Sequence, residues 1–262
     1  MAHEIPFLPL ASMVVESEGS VDSSEILLVL YRAGMMSSVE KLMRKNVLVI
    51  GLGGVGGICA EMIIRAGIGK MTIVDNDSID ASNINRQIPA LHSTTNMSKA
   101  KVLAARLLDI NPLVDLTVLE EFMEEDKTIQ LIEKEKWDYI VDCIDTLSAK
   151  VDLIKGCMDR KLPIVSSMGA GGKLDPSQIK VTDLSKTHEC NLARYVRKRL
   201  QALGIKKGLK VVFSPEKPDQ SRIIETEKAY PKKSIIGTLS YMPAIFGCTV
   251  ASVVIRDLLA ID

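Results

Sequence analysis

A glycine-rich hexapeptide, Gly51-Leu52-Gly53-Gly54-Val55-Gly56, follows one apolar run and precedes a helical pattern. Glycine has no Cβ, so a phosphate can approach the backbone closely, and the N–H groups at the start of the next helix favour negative charge. Asp75 ends the following apolar run, 24 residues after Gly51, where an acidic residue commonly binds a ribose hydroxyl. The pattern predicts a nucleotide site for NAD, FAD or ATP; a glycine turn that serves only packing is the alternative.

Polar residues further along favour ATP, because a triphosphate requires them and NAD chemistry does not. Arg86 and Lys99 can hold phosphates and stabilise a departing pyrophosphate, and a nearby carboxylate can hold magnesium. Asp145 follows the fourth predicted strand, at the carboxyl end of a parallel sheet, where ligands bind. Any one of these charged residues alone is more simply a solvated surface residue. The prediction therefore depends on the order in which the whole set occurs along the chain. The set downstream of Asp75 is Asp77, Asn83, Asn85, Arg86, Gln87 and Lys99.

The elements that position these residues alternate between short apolar runs and helical patterns from Lys45 onward. This alternation predicts an α/β fold: a Rossmann-like, doubly wound, mainly parallel sheet with a C-terminal mixed or antiparallel extension. Strands are predicted at 46–50, 71–74, 113–119, 139–143, 163–167, 178–183 and 210–213, and helices at 57–66, 98–110, 128–135, 149–159, 192–203 and 244–259.

The composition is that of a soluble globular protein: 262 residues, 33 Lys+Arg against 33 Asp+Glu, and 47% hydrophobic residues. Zero formal charge gives no overall attraction for nucleic acid or membranes. Five cysteines without a CxxC pair predict neither a disulfide framework nor a zinc ribbon, and they indicate a reducing, cytoplasmic location. Cys59, Cys143, Cys157 and Cys248 lie in apolar patterns and are expected in the core.

Two segments bear on targeting and membranes. The first 31 residues contain no Lys or Arg, so the basic region of a signal peptide is missing. Residues 235–255 carry no charge over 21 positions, which is long enough to cross a bilayer. Gly237, Pro243 and Gly247 interrupt this stretch, so a loop leading into a buried helix is expected, and no membrane association.

The ordered motifs resemble the adenylation domain of the ubiquitin-activating-enzyme (ThiF/MoeB-like) superfamily. The similarity covers residues 45 to about 150. The motifs are Gly51 to Gly56, Asp75-Asn76-Asp77, Ser82-Asn83-Ile84-Asn85-Arg86-Gln87, Ser98-Lys99-Ala100-Lys101, Ile110-Asn111-Pro112 and Cys143-Ile144-Asp145.

This resemblance implies a homodimeric enzyme that adenylates a carboxylate with ATP and magnesium. Arg86, Lys99 and Asp145 are its implied catalytic residues, and Asp145 is also the implied magnesium ligand. Asp75 is expected to bind the ribose. The implied nucleotide-binding residues are Gly51, Gly53, Gly54, Gly56, Asp75, Asp77, Asn83, Arg86 and Lys99.

The second half resembles one branch, the tRNA threonylcarbamoyladenosine dehydratases, through residues 168–176, 183–187 and 191–200. The resemblance implies ATP-dependent cyclisation of a modified adenosine in tRNA, with a sulfur-relay protein as a further candidate partner. Seven basic residues and no acid lie between Leu192 and Lys210, which suits RNA phosphates, although an ordinary solvated face is the alternative. The expected tRNA contacts are Arg194, Arg197, Lys198 and Arg199.

On this interpretation residues 41–262 form a single adenylation domain. Residues 45–150 are its nucleotide-binding half and residues 151–262 its tRNA-facing half. Residues 1–40 form a separate segment of unassigned role.

Two other functional classes stay open. A carrier-protein activator would adenylate a ubiquitin-like C-terminus and can use a cysteine; Cys190 beside His188 is the candidate, although a bystander cysteine is the simpler interpretation. A nucleotide-binding scaffold without activity is the third class. It is motivated by the missing arginine-rich stretch before the glycine loop, for which Arg32 is the nearest substitute, and by Ser234, where some dehydratases carry cysteine.

Overall fold

The computed structural model describes residues 36–217, 223–225 and 234–261. Its strands are β1 (Asn46–Ile50), β2 (Lys70–Val74), β3 (Asp115–Leu119), β4 (Tyr139–Asp142), β5 (Ile164–Ser167), β6 (Lys180–Asp183), β7 (Lys210–Phe213), β8 (Ile223–Glu225) and β9 (Ser234–Ile236). Its helices are α1 (Met36–Leu42), α2 (Gly56–Arg65), α3 (Lys99–Ile110), α4 (Glu125–Lys134), α5 (Leu147–Asp159), α6 (Asn191–Ala202) and α7 (Tyr241–Leu259).

Seven strands form one sheet in the order β3-β2-β1-β4-β5-β7-β6. All neighbouring pairs are parallel except β6 with β7, which is antiparallel. Strands β8 and β9 form a separate antiparallel hairpin. The chain winds outward from β1 to β3 in one direction and from β4 onward in the other, so the strand order reverses between β1 and β4.

Helices cover both faces of the sheet, which explains why β1 is buried at all five positions rather than alternating. One face packs against α2, α3 and α7, through side chains such as Ile63, Leu103 and Phe246. The other packs against α4, α5 and α6, through Leu153 and Val196 among others. The loops at the carboxyl ends of the strands therefore start from a sheet that is packed on both faces by a hydrophobic core.

Helix α7 meets the length and hydropathy criteria for a membrane span, and it is the one helix in the described part of the chain that does so. In this fold it packs against α2 and the sheet, with Met242, Phe246, Val250 and Val254 fully buried. Its apolar composition thus has a packing explanation, and the expected buried helix is confirmed.

The predicted α/β class is confirmed, and most differences concern the ends of elements. Helix α4 begins three residues before the prediction, and β6 begins at Lys180 because Pro176–Gln178 forms a 3-10 turn. Cys59 and Cys157 are buried as expected, but the expectation for Cys248 was wrong because it lies on an exposed position of α7.

Two further differences lie near the chain ends. Helix α1 was not predicted, and the loop expected before Lys233 contains the short strand β8. Residues 1–35, with Arg32, lie outside the described residues, so the expected cross-subunit contact stays a prediction.

Candidate functional site

The glycine loop connects β1 to α2 at the carboxyl edge of the sheet. Loops after β1 and β4 border the crevice in which doubly wound sheets bind ligands, because the strand order reverses there. Gly51 has a φ of +87°, and a Cβ placed on it would lie 2.7 Å from the carbonyl oxygen of Cys143. Only glycine fits this position, so the loop after β1 packs directly on the loop after β4.

Gly53 is a glycine that packing does not require. Among the described residues, a Cβ there would approach only Gln87 Nε2, at 3.7 Å, an ordinary contact distance. Helix α2 begins nearby, and its N-cap residue Val55 makes no side-chain hydrogen bond to the helix N–H groups. Open space beside an uncapped helix N-terminus suits the close approach of a phosphate.

Asp75 joins the glycine loop to Lys99. Its Oδ2 accepts a hydrogen bond from the Leu52 N–H at 2.7 Å, and its Oδ1 accepts one from the Asp77 N–H at 2.8 Å. Lys99 Nζ lies 2.9 Å from Asp77 Oδ2 and 3.5 Å from Asp75 Oδ1. Lys99 is only 3% exposed, whereas the Asp77 side chain is 65% exposed. The ammonium group is therefore fixed inside the protein, with one of its carboxylate partners open to solvent.

Arg86 and Asn83 lie in the turn that follows β2. Asn83 Oδ1 accepts a hydrogen bond from the Asp80 N–H at 3.2 Å and so helps to close the turn. Arg86 Nη1 donates to two acceptors in the same turn, at 2.7 and 2.8 Å, one of which is Asn85 Oδ1. Arg86 Cγ would lie 3.5 Å from a Cβ on Gly54. The turn therefore brings the guanidinium-bearing residue against the glycine loop.

Gln87 supplies a test of whether a nucleotide fits. Its Oε1 is buried and, within the described residues, has no hydrogen-bond partner. Buried polar atoms in native proteins are nearly always paired, with protein, water or ligand, so this acceptor is available to a donor from water or from a ligand. A nucleotide has such donors in its hydroxyl and amino groups. Together with Lys99, Arg86 and the uncapped α2, Gln87 makes the crevice chemically suited to ATP.

Asp145 lies in the loop after β4, one residue beyond Ile144, whose backbone nitrogen would lie 3.0 Å from a Cβ on Gly51. Its side chain is exposed. In the described ranges no group of three or more His, Cys, Asp or Glu residues is arranged to hold a metal. Magnesium commonly binds through one or two carboxylates plus substrate phosphates. The Asp145 carboxylate therefore fits an ion that arrives with the nucleotide.

A buried network that the sequence pattern did not indicate lies beneath the Asp145 loop. Lys150 Nζ is 2.6 Å from Asp142 Oδ2, and the Ser166 Oγ donates to the same oxygen at 2.5 Å. Lys150, Asp142 and Ser166 are all fully buried. The available signal was Lys150 at helical spacing from Leu153 and Ile154, because a charge on an apolar helix face needs a partner.

The cysteines offer little nucleophilic character. Cys190 is buried at the N-cap of α6, and His188 packs edge-on against Phe213 with its Nδ1 3.4 Å from a carbonyl oxygen. Burial raises the pKa of both Cys143 and Cys157 to about 12, with the nearby Asp142 charge adding to it. These two thiols are protonated at neutral pH, and only thiolates are good nucleophiles.

The four residues expected to contact tRNA lie on α6 and are not equivalent. Arg194, Lys198 and Arg199 are exposed. Arg197 is half-buried, and its Nη1 donates to the Thr187 carbonyl oxygen at 2.8 Å and also to the Thr187 hydroxyl. The guanidinium of Arg197 is thus used to hold the preceding turn, whereas the other three groups face solvent.

Fold and site together define a class. The ThiF family model matches residues 27–262, and the chain belongs to the ThiF family. It is 37% identical over 228 residues to the tRNA threonylcarbamoyladenosine dehydratase of Bacillus subtilis, covering 84% of this chain and 89% of that one.

The corresponding Escherichia coli enzyme, solved in complex with ATP, superposes with a TM-score of 0.81 and 32% identity, covering 93% and 98% of the two chains. The molybdopterin-synthase adenylyltransferase of E. coli is 34% identical over 129 residues, which is 48% of this chain and 50% of that one. The similarity to the dehydratases therefore covers most of both chains, and the similarity to the molybdopterin-synthase adenylyltransferase covers about half of each.

Proposed function

We propose that this chain is a tRNA threonylcarbamoyladenosine dehydratase, which uses ATP to activate and cyclise a modified adenosine in tRNA. The main support is the similarity to named dehydratases over most of both chains. The crevice between β1 and β4 adds to it, because buried Lys99, Arg86 and the Gln87 Oε1, which has no partner among the described residues, suit a nucleoside triphosphate.

The chemistry needs two displacements. A carboxylate oxygen of the threonyl group attacks the α-phosphorus of ATP, and the bond from that phosphorus to pyrophosphate breaks. A ureido nitrogen of the same nucleoside then attacks the activated carbonyl carbon, loses its proton and expels AMP, so the nucleoside loses one water. No covalent enzyme intermediate is required, which agrees with the buried position of Cys190.

The protein contributes position and charge. The Lys99 ammonium and the Arg86 guanidinium stabilise the negative charge that develops on pyrophosphate, and both are held by hydrogen bonds before ATP binds. Asp75 and Gln87 orient the nucleoside, while Asp77 and Asn83 shape the wall of the pocket. Magnesium held by Asp145 would supply further neutralisation of the phosphates.

The exposed residues of α6 form the proposed tRNA surface, in the 151–262 half of the domain. Arg194, Lys198 and Arg199 carry cationic groups that can contact phosphates. Tyr195 is 50% exposed, and the Arg194 guanidinium lies 5.1 Å from its ring centroid, so the same surface offers a place for base stacking. A cytoplasmic homodimer, with no membrane association, completes the proposal.

ATP–pyrophosphate exchange tests this function directly. We expect exchange only with tRNA that carries threonylcarbamoyladenosine, followed by loss of one water mass from the nucleoside. Asp145→Ala and Arg86→Ala should abolish exchange, whereas the exposed control Asp159→Ala should not. Exchange that ignores tRNA and requires a ubiquitin-like protein would instead establish a carrier activator, and Cys190 would then be the first residue to change.

A further inference from the structure

The buried side chains of Asp142, Lys150 and Ser166 bracket the loop that carries Asp145. Asp142 is the last residue of β4, Ser166 is its register partner on β5, and Lys150 lies in the second turn of α5. Asp145 stands between Asp142 and Lys150 in the chain. The ion pair therefore closes a short segment whose two ends are both anchored in the core.

The hydrogen bonds of Asp142 are divided between the loop and the core. Its Oδ1 accepts from the Ile144 N–H at 3.0 Å, which bends the backbone immediately before Asp145. Its Oδ2 accepts from Lys150 Nζ and from the Ser166 hydroxyl, and Lys150 Nζ also lies 3.1 Å from Ser166 Oγ. One oxygen of the carboxylate thus binds the loop, and the other binds side chains in the core.

Stability alone is a poor explanation for this arrangement. A buried ion pair loses much of its attraction to desolvation, and apolar residues of similar volume are often as stable. Thr146, the N-cap of α5, makes no side-chain capping hydrogen bond, so the usual means of fixing a helix start is missing next to Asp145. The network instead fixes the conformation of the loop, because Asp142 accepts a hydrogen bond from the Ile144 N–H.

We propose that Asp142, Lys150 and Ser166 are positioning residues that hold the Asp145 carboxylate in the geometry required for magnesium–ATP. This inference rests on the proposed function, since it assigns a supporting structure to the same site. The three side chains are fully buried, and they make their hydrogen bonds with one another and with the Ile144 N–H. Their effect passes through the backbone of residues 142–146.

The test is a double variant, Asp142→Leu with Lys150→Met, which removes both charges and the acceptor of the Ile144 N–H and leaves no unpaired ion in the core. The matched control is Lys155→Met with Asp159→Asn, which removes an exposed ion pair from the same helix. Three quantities are measured: the unfolding temperature, the dissociation constant of ATP across a magnesium titration, and hydrogen exchange at the Ile144 amide.

We expect the double variant to need about 10- to 100-fold more magnesium for half-maximal tightening of ATP binding, the range seen when groups supporting metal ligands are removed. ATP affinity without magnesium should stay unchanged, and the Ile144 amide should exchange faster. The control should match the unaltered protein. A merely structural role would lower the unfolding temperature without changing the magnesium requirement.

An unchanged magnesium requirement in a folded double variant would overturn the proposal. If the double variant does not fold, Ser166→Ala is the deciding variant, because it keeps the ion pair and removes a hydrogen bond to Asp142. We expect a smaller increase in the magnesium requirement. An unchanged requirement in Ser166→Ala would refute the proposal. Failure of the proposed function is a separate result, namely absence of tRNA-dependent pyrophosphate exchange in the unaltered protein.

Discussion

Lys99 is a buried side chain with a proposed role at the phosphates of ATP. Burying an ammonium group is costly unless it is paired, and Asp75 and Asp77 supply the pairing. The same contacts hold the charge in place before the phosphates arrive. A charge that needs no rearrangement during the reaction is what electrostatic stabilisation of a leaving group requires.

We predict that Lys99→Ala lowers the rate of tRNA-dependent pyrophosphate exchange by about 100-fold or more, because the variant has no fixed positive charge at the leaving group. Lys101→Ala is the matched control, since Lys101 is on the same helix, 70% exposed and paired with Glu120 on the surface. Equal rates for the two variants would remove Lys99 from the catalytic site.

At the scale of elements, α6 divides its residues between the core and solvent. Ala193, Val196 and Leu200 recur at helical spacing and are buried. Arg197 lies at the boundary of this face and ties the helix to the turn at Leu184–Lys186. The basic stretch visible in the sequence therefore contains one structural arginine among surface cations.

We predict that Arg194→Ala, Lys198→Ala and Arg199→Ala together weaken tRNA binding and reduce the slope of log affinity against log salt by roughly 2 to 3, about 0.9 for each phosphate that is no longer neutralised. Arg197→Ala should instead lower the free energy of unfolding by about 1 to 3 kcal/mol, because it removes the hydrogen bonds to Thr187.

Filter-binding titrations at several salt concentrations, together with denaturant unfolding, separate the two effects. A reduced salt slope for Arg197→Ala, with unchanged stability, would contradict this division of α6.

For the whole molecule, local patterns were sufficient to predict the fold. Apolar runs and glycine stops predicted the β1-to-β5 order of elements because each signal lies within one segment. Contacts between distant segments could not be predicted from the sequence. The residues around Lys150 do not indicate Ser166 as its partner, and those around Gln87 do not indicate that its Oε1 has no partner among the described residues. The residues proposed for the site were selected by their types and order, whereas the buried network of Asp142, Lys150 and Ser166 depends on three-dimensional packing.

Helix α7 connects this packing to the site. A Cβ on Gly247 would lie 2.5 Å from the carbonyl oxygen of Val55, at the start of α2, and 2.9 Å from the Ile58 Cβ. A Cβ on Gly54 would lie 2.9 Å from the Pro243 Cβ. The glycine loop is thus supported by residues that follow it by about 190 positions in the chain.

We predict that Gly247→Ala weakens ATP binding and lowers the free energy of unfolding by about 1 to 3 kcal/mol, since the added methyl group must displace backbone. Glycine-to-alanine changes within helices otherwise raise the free energy of unfolding, so a decrease would show that the methyl group is not accommodated. Cys248→Ala, on the exposed side of the same helix, should leave both quantities near their original values. Isothermal titration with ATP and denaturant unfolding provide the measurements.

The contact between α7 and the glycine loop also bears on biosynthesis. A ribosome makes the glycine loop about 190 residues before α7, so over that interval a nascent chain carries the loop without the helix that supports it. During that interval the face of α2 that packs against α7 is uncovered, and transiently exposed apolar surface favours aggregation. Tight ATP binding should therefore begin only after α7 has emerged and docked, which makes nucleotide affinity a marker of the docking of α7.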